Sequence, residues 1–233
     1  VMKWEISMIK HHPSETLLTE YCSASLSASL SLAVSIHVDM CPVCQEKVAK
    51  IEASNADALF SEDAEPFEQP VNNQSQLLEE FDMNVLDLIT ADDSIDEVYE
   101  VEPVKVSVND HNYQLPRALT RISHSKFTQV GKLARSRVAL DDGALRSSLL
   151  HIDAGGEIPE HTHTGFEITL LLDGEFCDED GHYVPGDFIW QDGRHQHTPI
   201  TKDGCLCFTV VSSALHFNKG LSKLLNPIGN LIY

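Results

Sequence analysis

The sequence predicts a multidomain protein of α + all-β class, in which a small helical domain precedes a β-sandwich or barrel. Two observations support this division. The first fifth of the chain has helical apolar spacing and a His/Cys cluster, whereas from about Pro103 apolar and polar residues alternate between turn signals. We expect a helical domain over residues 8–92, a β domain over residues 103–215 and a C-terminal tail over residues 216–233.

Short helices are predicted over residues 13–53. Pro13-Ser14 is typical of a helix start, and Leu17 lies on the apolar face that follows. A second apolar segment runs from Leu26 to Ile36, and a third helix begins near Pro42. Because helices of this length bury little apolar surface, we expect a metal or a partner to stabilise them.

His37, Cys41 and Cys44 form an H-x3-C-x2-C cluster at the end of the second helix. A helix places His37 and Cys41 on one face, and the turn at Pro42 brings the Cys44 sulfur to the same point. This donor set suits tetrahedral Zn2+, with the fourth ligand expected from the His11-His12 pair. The alternative is a C-x-x-C redox pair. A redox pair needs neither the helix-phased histidine nor the upstream pair, so the pattern favours a metal.

An acidic segment separates the two domains. No Lys or Arg occurs between Ile51 and Val104, and residues 53–75 have the composition of a linker. Apolar residues then recur at helical spacing, which predicts a last, acidic helix over residues 76–91. Two interpretations stay open: the helix packs on its own domain, or it is tethered and lays its apolar face on another protein.

The β domain is predicted from six strand-like runs separated by glycine-containing turns, with no convincing helix between them. The turns include Asp173-Gly174, Asp180-Gly181 and Pro185-Gly186. The runs are Val104–Val108, Arg137–Leu140, Ser147–Ile152, Glu167–Leu172, Asp187–Trp190 and Cys205–Val211.

A second set of candidate metal ligands lies in the β domain. His161, His163 and Glu167 have the same parity, so a strand would present the two histidines on one face. His195 and His197 are also spaced by two. Three imidazoles and one carboxylate inside a barrel suit Zn2+, Mn2+, Fe2+ or Ni2+.

The segment Gly155-x5-His161-x-His163-x3-Glu167-x6-Gly174 resembles the first motif of the cupin superfamily at every spacing. Pro185-Gly186-Asp187 resembles the opening of the second motif, and the resemblance implies His197 rather than His195 as the remaining ligand. This second motif departs from the family pattern, because its Pro-x-Gly is compressed and its terminal Asn is missing. A cupin domain defines a fold and leaves the function open.

A short helical H-x3-C-x2-C segment followed by a cupin resembles the ChrR-type zinc anti-sigma factors of bacteria over nearly the whole chain. The segment Lys10-His11-His12-Pro13 resembles their early histidine. The resemblance implies a structural Zn2+ site formed by His12, His37, Cys41 and Cys44. In the cupin it implies Zn2+ or another divalent transition metal, bound by His161, His163, Glu167 and His197.

The same resemblance implies a function. The protein would be a non-enzymatic inhibitor that binds an extracytoplasmic-function sigma factor one to one. It would release the sigma factor when its cupin domain receives an oxidative signal, singlet oxygen or organic peroxide.

Composition agrees with that expectation. Sixteen Lys+Arg against 36 Asp+Glu give a net charge of −20, which argues against direct nucleic-acid binding and suits a basic protein partner. The six cysteines do not resemble a secreted disulfide framework, and the segment Ser23–Ile36 is too short to span a membrane. We expect a cytoplasmic protein with no signal peptide and no membrane contact.

Two alternatives remain at this point. A metal-dependent cupin dioxygenase acting on a small molecule accounts for the β-domain ligands but leaves the N-terminal cluster without a role. A metal-stabilised scaffold with neither catalysis nor sensing is the other.

Overall fold

The computed structural model describes residues 8–61, 83–91, 103–213 and 215–217. The chain divides into two compact units. The first combines Val1–Ala53 with Pro103–Tyr233, and the second is Ser54–Glu102. The predicted boundaries at 8–92, 103–215 and 216–233 stay a prediction. Most of the predicted linker, and all but two residues of the predicted tail, lie outside the described residues.

The helices predicted near the N-terminus are present as α1 (Glu15–Cys22), α2 (Ala28–Met40) and α3 (Pro42–Leu59). Ser14 caps α1, because its hydroxyl accepts a hydrogen bond from the backbone N–H of Leu17. Of the acidic helix predicted over residues 76–91, the structure describes α4 (Met83–Thr90). The earlier part of that prediction lies outside the described residues.

The described part of residues 103–217 is an antiparallel β domain with one 3-10 turn, Arg117–Leu119. The strands are β1 (Lys105–Val108), β2 (His111–Gln114), β3 (Thr128–Val130), β4 (Leu133–Arg137), β5 (Arg146–Ile152), β6 (His161–His163), β7 (Phe166–Gly174), β8 (Phe176–Cys177), β9 (His182–Tyr183), β10 (Phe188–Asp192), β11 (Cys205–Val211) and β12 (Leu215–Phe217). The principal sheet has six strands in the order β10-β7-β11-β5-β4-β3, and the other strands form the two-stranded pairs β1-β2, β12-β6 and β8-β9. The predicted class, small helices followed by an all-β domain, is confirmed.

One predicted strand is displaced. The sequence predicts a strand over Arg137–Leu140, whereas the chain forms β4 over Leu133–Arg137 and only an isolated bridge at Val138. The interior positions of β4 are the small residues Ala134 and Ser136, which give little apolar alternation. The apolar residues that suggested a strand instead lie where the chain leaves the sheet.

The principal sheet is covered on both faces. On one face Leu150 and Cys207 line a small pocket inside the β domain. On the other, Leu149 and Phe208 belong to a single apolar core that includes Ile36 of α2. Since α2 contacts both β7 and β11, the N-terminal helices and the sheet share one hydrophobic core. Leu149, Phe208 and Ile36 are completely buried there.

The β domain also caps the start of α2. Asp142, between β4 and β5, accepts a hydrogen bond at 2.8 Å from the backbone N–H of Ser29 in the first turn of the helix. A carboxylate at this position satisfies an unpaired N–H and interacts favourably with the helix dipole. Burial opposes ionisation of Asp142, but the hydrogen bonds from Ser29 outweigh it and hold the pKa below its ordinary value.

We predict that Asp142→Ala lowers the free energy of unfolding by about 1 kcal/mol, the usual cost of losing a helix cap. Because the folded-state pKa of Asp142 is depressed, its contribution is present at neutral pH and is lost as the pH falls below about 4. Urea unfolding at two pH values measures both effects. The exposed neighbour Asp141 supplies the control, and equal losses from Asp141→Ala and Asp142→Ala would contradict the cap.

Candidate metal centres

The chain geometry between α2 and α3 brings two cysteines next to a histidine. Cys41 ends α2 in an extended conformation, with φ −116° and ψ 103°, and its N–H still bonds the His37 carbonyl at 2.9 Å. Pro42 then begins α3, where its missing N–H costs no helix hydrogen bond. Cys44 therefore lies in the first turn of α3, facing His37.

His12, His37, Cys41 and Cys44 offer four ligand atoms that all lie within 4.8 Å of one another. Nε2 of His37 is 3.2 Å from Sγ of Cys44. Nδ1 of His12, from the segment before α1, is 3.4 Å from Sγ of Cys41 and 3.5 Å from Sγ of Cys44. All except His12 are buried. Two sulfur and two imidazole donors at these separations could hold a metal ion.

The titration behaviour of this cluster is compatible with a metal site. Burial lowers the pKa of His37 to about 4, so its imidazole is neutral at pH 7, as a metal ligand must be. Burial and the neighbouring Cys41 raise the pKa of the Cys44 thiol to about 11. Two adjacent buried thiols do not both ionise unless a positive charge compensates them, and a bound metal supplies that charge.

The β domain orients the metal ligands. The carbonyl oxygen of Gly186 lies 2.7 Å from Nδ1 of His37, so Nδ1–H donates to it and Nε2 is left to face the sulfur atoms. The fully buried carboxylate of Asp187 accepts hydrogen bonds from the backbone N–H groups of Lys10, at 2.7 Å, and His11, at 2.9 Å. The segment that carries His12 is thereby held against the sheet.

Glycine is required at position 186 because the backbone approaches another segment closely there. Gly186 has φ +95°, and a Cβ atom at this position would overlap the side chain of Ile9. The sequence predicted Pro185-Gly186-Asp187 as a motif of the β domain only. Its contact with the N-terminal cluster joins residues that are far apart in the chain, and no local pattern indicates it.

The second predicted set lies in and around the pocket on the inner face of the sheet. His161, Glu167 and His197 all line this pocket, and Nε2 of His161 is 3.0 Å from Nε2 of His197. His163 belongs to the same short strand, β6, as His161, but its side chain lies outside the described residues. His195, the alternative to His197, lies at the surface beside Asp192.

Two further residues orient His197. Its Nδ1 lies 3.2 Å from the carboxylate of Asp178 and 2.9 Å from the side-chain amide of Gln191. Burial disfavours the ionised form of Asp178, but the hydrogen bonds that the carboxylate accepts, including the one from His197, keep its pKa below the ordinary value. These contacts direct Nε2 of His197 toward His161. Sequence reasoning missed both residues, because Asp178 lies in a stretch predicted only as a turn.

The cysteines of β11 lie beside this pocket. Cys205 and Cys207 are buried, and Cys207 lines the pocket, whereas Cys177 is exposed. Hydrogen bonding with Cys205, together with burial, raises the pKa of the Cys207 thiol well above its ordinary value. Cys207 is therefore a neutral thiol at pH 7, the less reactive form.

Comparison with known proteins addresses the β domain and the chain as a whole. Residues 117–214 match the family model of the ChrR cupin-like domain. The anti-sigma-E factor ChrR of Cereibacter sphaeroides is 27% identical over 224 residues, which cover 94% of this chain and 97% of the relative.

A solved structure extends the similarity to the fold of nearly the whole chain. A chain in the crystal structure of Rhodobacter sphaeroides SigE in complex with the anti-sigma ChrR matches with a TM-score of 0.62 and 23% identity. The match covers 88% of this chain and 99% of that one. The resemblance to ChrR-type proteins predicted from the motifs is confirmed. Within the described residues, no helix is long and apolar enough to cross a membrane.

We predict that Cys41→Ala combined with Cys44→Ala removes about one metal ion per chain and lowers the unfolding temperature, since the pair supplies half of a four-donor site. Elemental analysis and calorimetry of the purified protein measure these changes. Cys22→Ala, on α1 outside the cluster, is the matched control and should retain the metal. An unchanged metal content in the double variant would exclude the cluster as a metal site.

Proposed function

We propose that the protein is an anti-sigma factor, which binds one extracytoplasmic-function sigma factor in the cytoplasm and keeps it from RNA polymerase. One observation carries the proposal. The chain joins a four-donor His/Cys cluster to a segment that matches the ChrR cupin-like domain, and nearly its whole length aligns with a curated protein named for anti-sigma activity.

The metal proposed for the N-terminal cluster is Zn2+, held by His12, His37, Cys41 and Cys44. Tetrahedral Zn2+ with sulfur and nitrogen ligands separates its donor atoms by about 3.5 Å. Here the Nε2 atom of His37 lies 3.2 Å from the Cys44 sulfur, and the Nδ1 atom of His12 lies 3.4 Å from the Cys41 sulfur and 3.5 Å from the Cys44 sulfur. Four protein donors leave no position for a substrate, so this zinc is structural: it fixes the end of α2 and the start of α3 in the arrangement that meets the sigma factor.

Two properties of the chain, its negative charge and its exposed apolar side chains, suit it to bind a sigma factor. A net charge of −20 complements the basic surfaces with which a sigma factor binds DNA. At the C-terminal end of α3, Phe60 is 83% exposed, and on α4 Leu88 and Ile89 are also exposed. Large apolar side chains exposed in neighbouring parts of the sequence are typical of segments that bind a partner.

The cupin domain is proposed as the sensor, with Zn2+ or another divalent transition metal bound by His161, His163, Glu167 and His197. The pocket that His161, Glu167 and His197 line has a cavity volume of about 20 Å³, too small for anything much larger than a water-sized group. A bound metal would supply an electrophilic position for a small oxidant. Such a pocket favours detection of a small oxidant over the alternative, a dioxygenase that must enclose a larger substrate.

A short path leads from the sensor to the zinc cluster. Gln191 contacts His197, and Ile189 lines the same pocket. Both residues belong to β10, which follows directly on Gly186 and Asp187, the residues that hold His37 and the His12 segment. A change in the pocket that shifts β10 would therefore alter the ligands of the zinc site. Release needs a difference of several kcal/mol in sigma affinity between the two states, about 5.5 kcal/mol for a complete switch.

We predict that this chain, co-expressed with the sigma factor encoded beside it, copurifies as a one-to-one complex. Leu88→Glu combined with Ile89→Glu should weaken that complex at least about 30-fold in Kd, if each side chain inserts into the partner as an interface anchor. Calorimetric titration of the purified partners measures the change. Val130→Glu, at an equally exposed apolar position on β3, is the matched control.

One result would overturn the anti-sigma proposal, and a second would remove only the α4 interface. Failure of the unaltered chain to bind the sigma factor, combined with oxygen consumption by the Fe2+-loaded protein, would favour the dioxygenase. Normal binding by the α4 variant would exclude α4 as part of the interface while leaving the anti-sigma function intact.

A further inference from the structure

A third group of metal-ligating side chains lies on the other face of the principal sheet. The ligand atoms of His111, His151 and Asp153 all lie within 4.8 Å of one another. His151 alternates along β5 with Leu150 and Ile152, which line the cupin pocket. Because alternate residues of a strand face opposite ways, this group is separate from the cupin ligands.

Two chain segments meet at the group. The β1-β2 hairpin turns through Asn109, which has φ +52°, and His111 is the first residue of β2. His151 and Asp153 come from the end of β5. The hairpin forms a two-stranded sheet of its own, so side chains at this end fasten it to the principal sheet.

Each of the two β5 ligands is oriented by neighbours. The carboxylate of Asp153 accepts hydrogen bonds from the side-chain amides of Asn109, at 2.8 and 3.0 Å, and Gln129, at 3.1 Å. The hydroxyl of Tyr113 lies 3.0 Å from Nδ1 of His151. In metal sites, outer contacts of this kind fix the orientation of the ligands. His151 is completely buried, and its Nε2 is directed at Asp153.

The protonation states suit a cation. Hydrogen bonds from Asn109 and His151 hold the pKa of Asp153 below its ordinary value, so its carboxylate is ionised at pH 7. Burial raises the pKa of Tyr113, which stays a neutral phenol. A phenol donates to a bare Nδ1 or accepts from Nδ1–H, so Tyr113 satisfies His151 whether its Nε2 carries a proton or binds a metal.

Within the described residues, Lys132 bonds the two residues that follow Asp153 and is held by their backbone carbonyls instead of the Asp153 carboxylate. The Lys132 ammonium group donates to the backbone carbonyls of Ala154 at 3.0 Å and Gly155 at 2.9 Å. Asp153 instead lies 2.7 Å from Nε2 of His151, a contact that a metal ion between the two would replace. His111 and Asp153 are partly exposed, which leaves a route from solvent to the site.

We propose that His111, His151 and Asp153 form a further metal site, which binds a divalent transition metal such as Zn2+ or Co2+ and fastens the β1-β2 hairpin to the principal sheet. Two imidazoles and one carboxylate are donors that these ions prefer, and water completes the coordination. The site is independent of the proposed sigma binding.

Metal stoichiometry of the full-length chain tests the proposal. The protein is saturated with Zn2+, dialysed and analysed for bound metal. His111→Ala and, separately, Asp153→Asn should each reduce the bound metal by about one equivalent per chain, because two donors no longer hold the ion. His182→Ala is the control, since His182 pairs with a carboxylate, Glu175, at the surface of the same domain.

A second measurement uses the unaltered protein, so its result does not depend on whether a variant folds. Crystals of the unaltered protein soaked in Zn2+ should show an anomalous scattering peak between His111 and Asp153. Unchanged metal content in both variants, or no peak at this position, would overturn the proposal and leave a hydrogen-bonded triad of Tyr113, His151 and Asp153 that only packs the hairpin.

Discussion

The hydrogen bond between the His37 ring and the Gly186 carbonyl is the contact on which the rest of this arrangement depends. It fixes which ring nitrogen faces the two cysteines, and therefore whether four donors can meet at one point. The turn that supplies it belongs to the β domain, and its next residue, Asp187, accepts hydrogen bonds from the backbone N–H groups of Lys10 and His11. The N-terminal cluster is thus completed by a domain that begins many residues later. The same dependence appears in the core, where the helices and the principal sheet bury apolar side chains against each other.

This dependence explains how a small helical segment can carry both the proposed metal site and the proposed binding surface. Three short helices alone bury too little apolar area to be stable, and here the sheet supplies the remainder. It also gives the proposed sensor a direct mechanical connection. Strand β10 carries the pocket residues Ile189 and Gln191 and begins directly after Asp187, so it links the pocket to the turn that contacts His37. A rigid strand of this kind transmits a shift of position without any change of fold.

Much of this organisation could be predicted from the sequence, because it rests on short-range patterns. The spacing of His37, Cys41 and Cys44 predicts their convergence, since one helical turn separates the first two and the turn at Pro42 brings Cys44 to the same point. Strand β11 was predicted with its observed bounds because every residue of Cys205–Val211 is apolar or β-branched. Strand β4 was misplaced because small residues form its buried positions. The Gly186 contact and the His111 group could not be predicted, because each joins segments distant in the chain and depends on tertiary packing alone.

The most direct test measures the metal affinity of the N-terminal cluster in Asp187→Asn, a variant that alters only the β domain. Titration with Co2+, followed through the absorption that cobalt–thiolate bonds produce, reports on the cysteine-containing site alone. If the β domain completes this site, the variant should bind Co2+ about 10–100-fold more weakly than the unaltered protein. Asp173→Asn, at an exposed position on β7, should not change the affinity. Equal affinity in all three proteins would contradict the account and show that the helices form the metal site without the β domain.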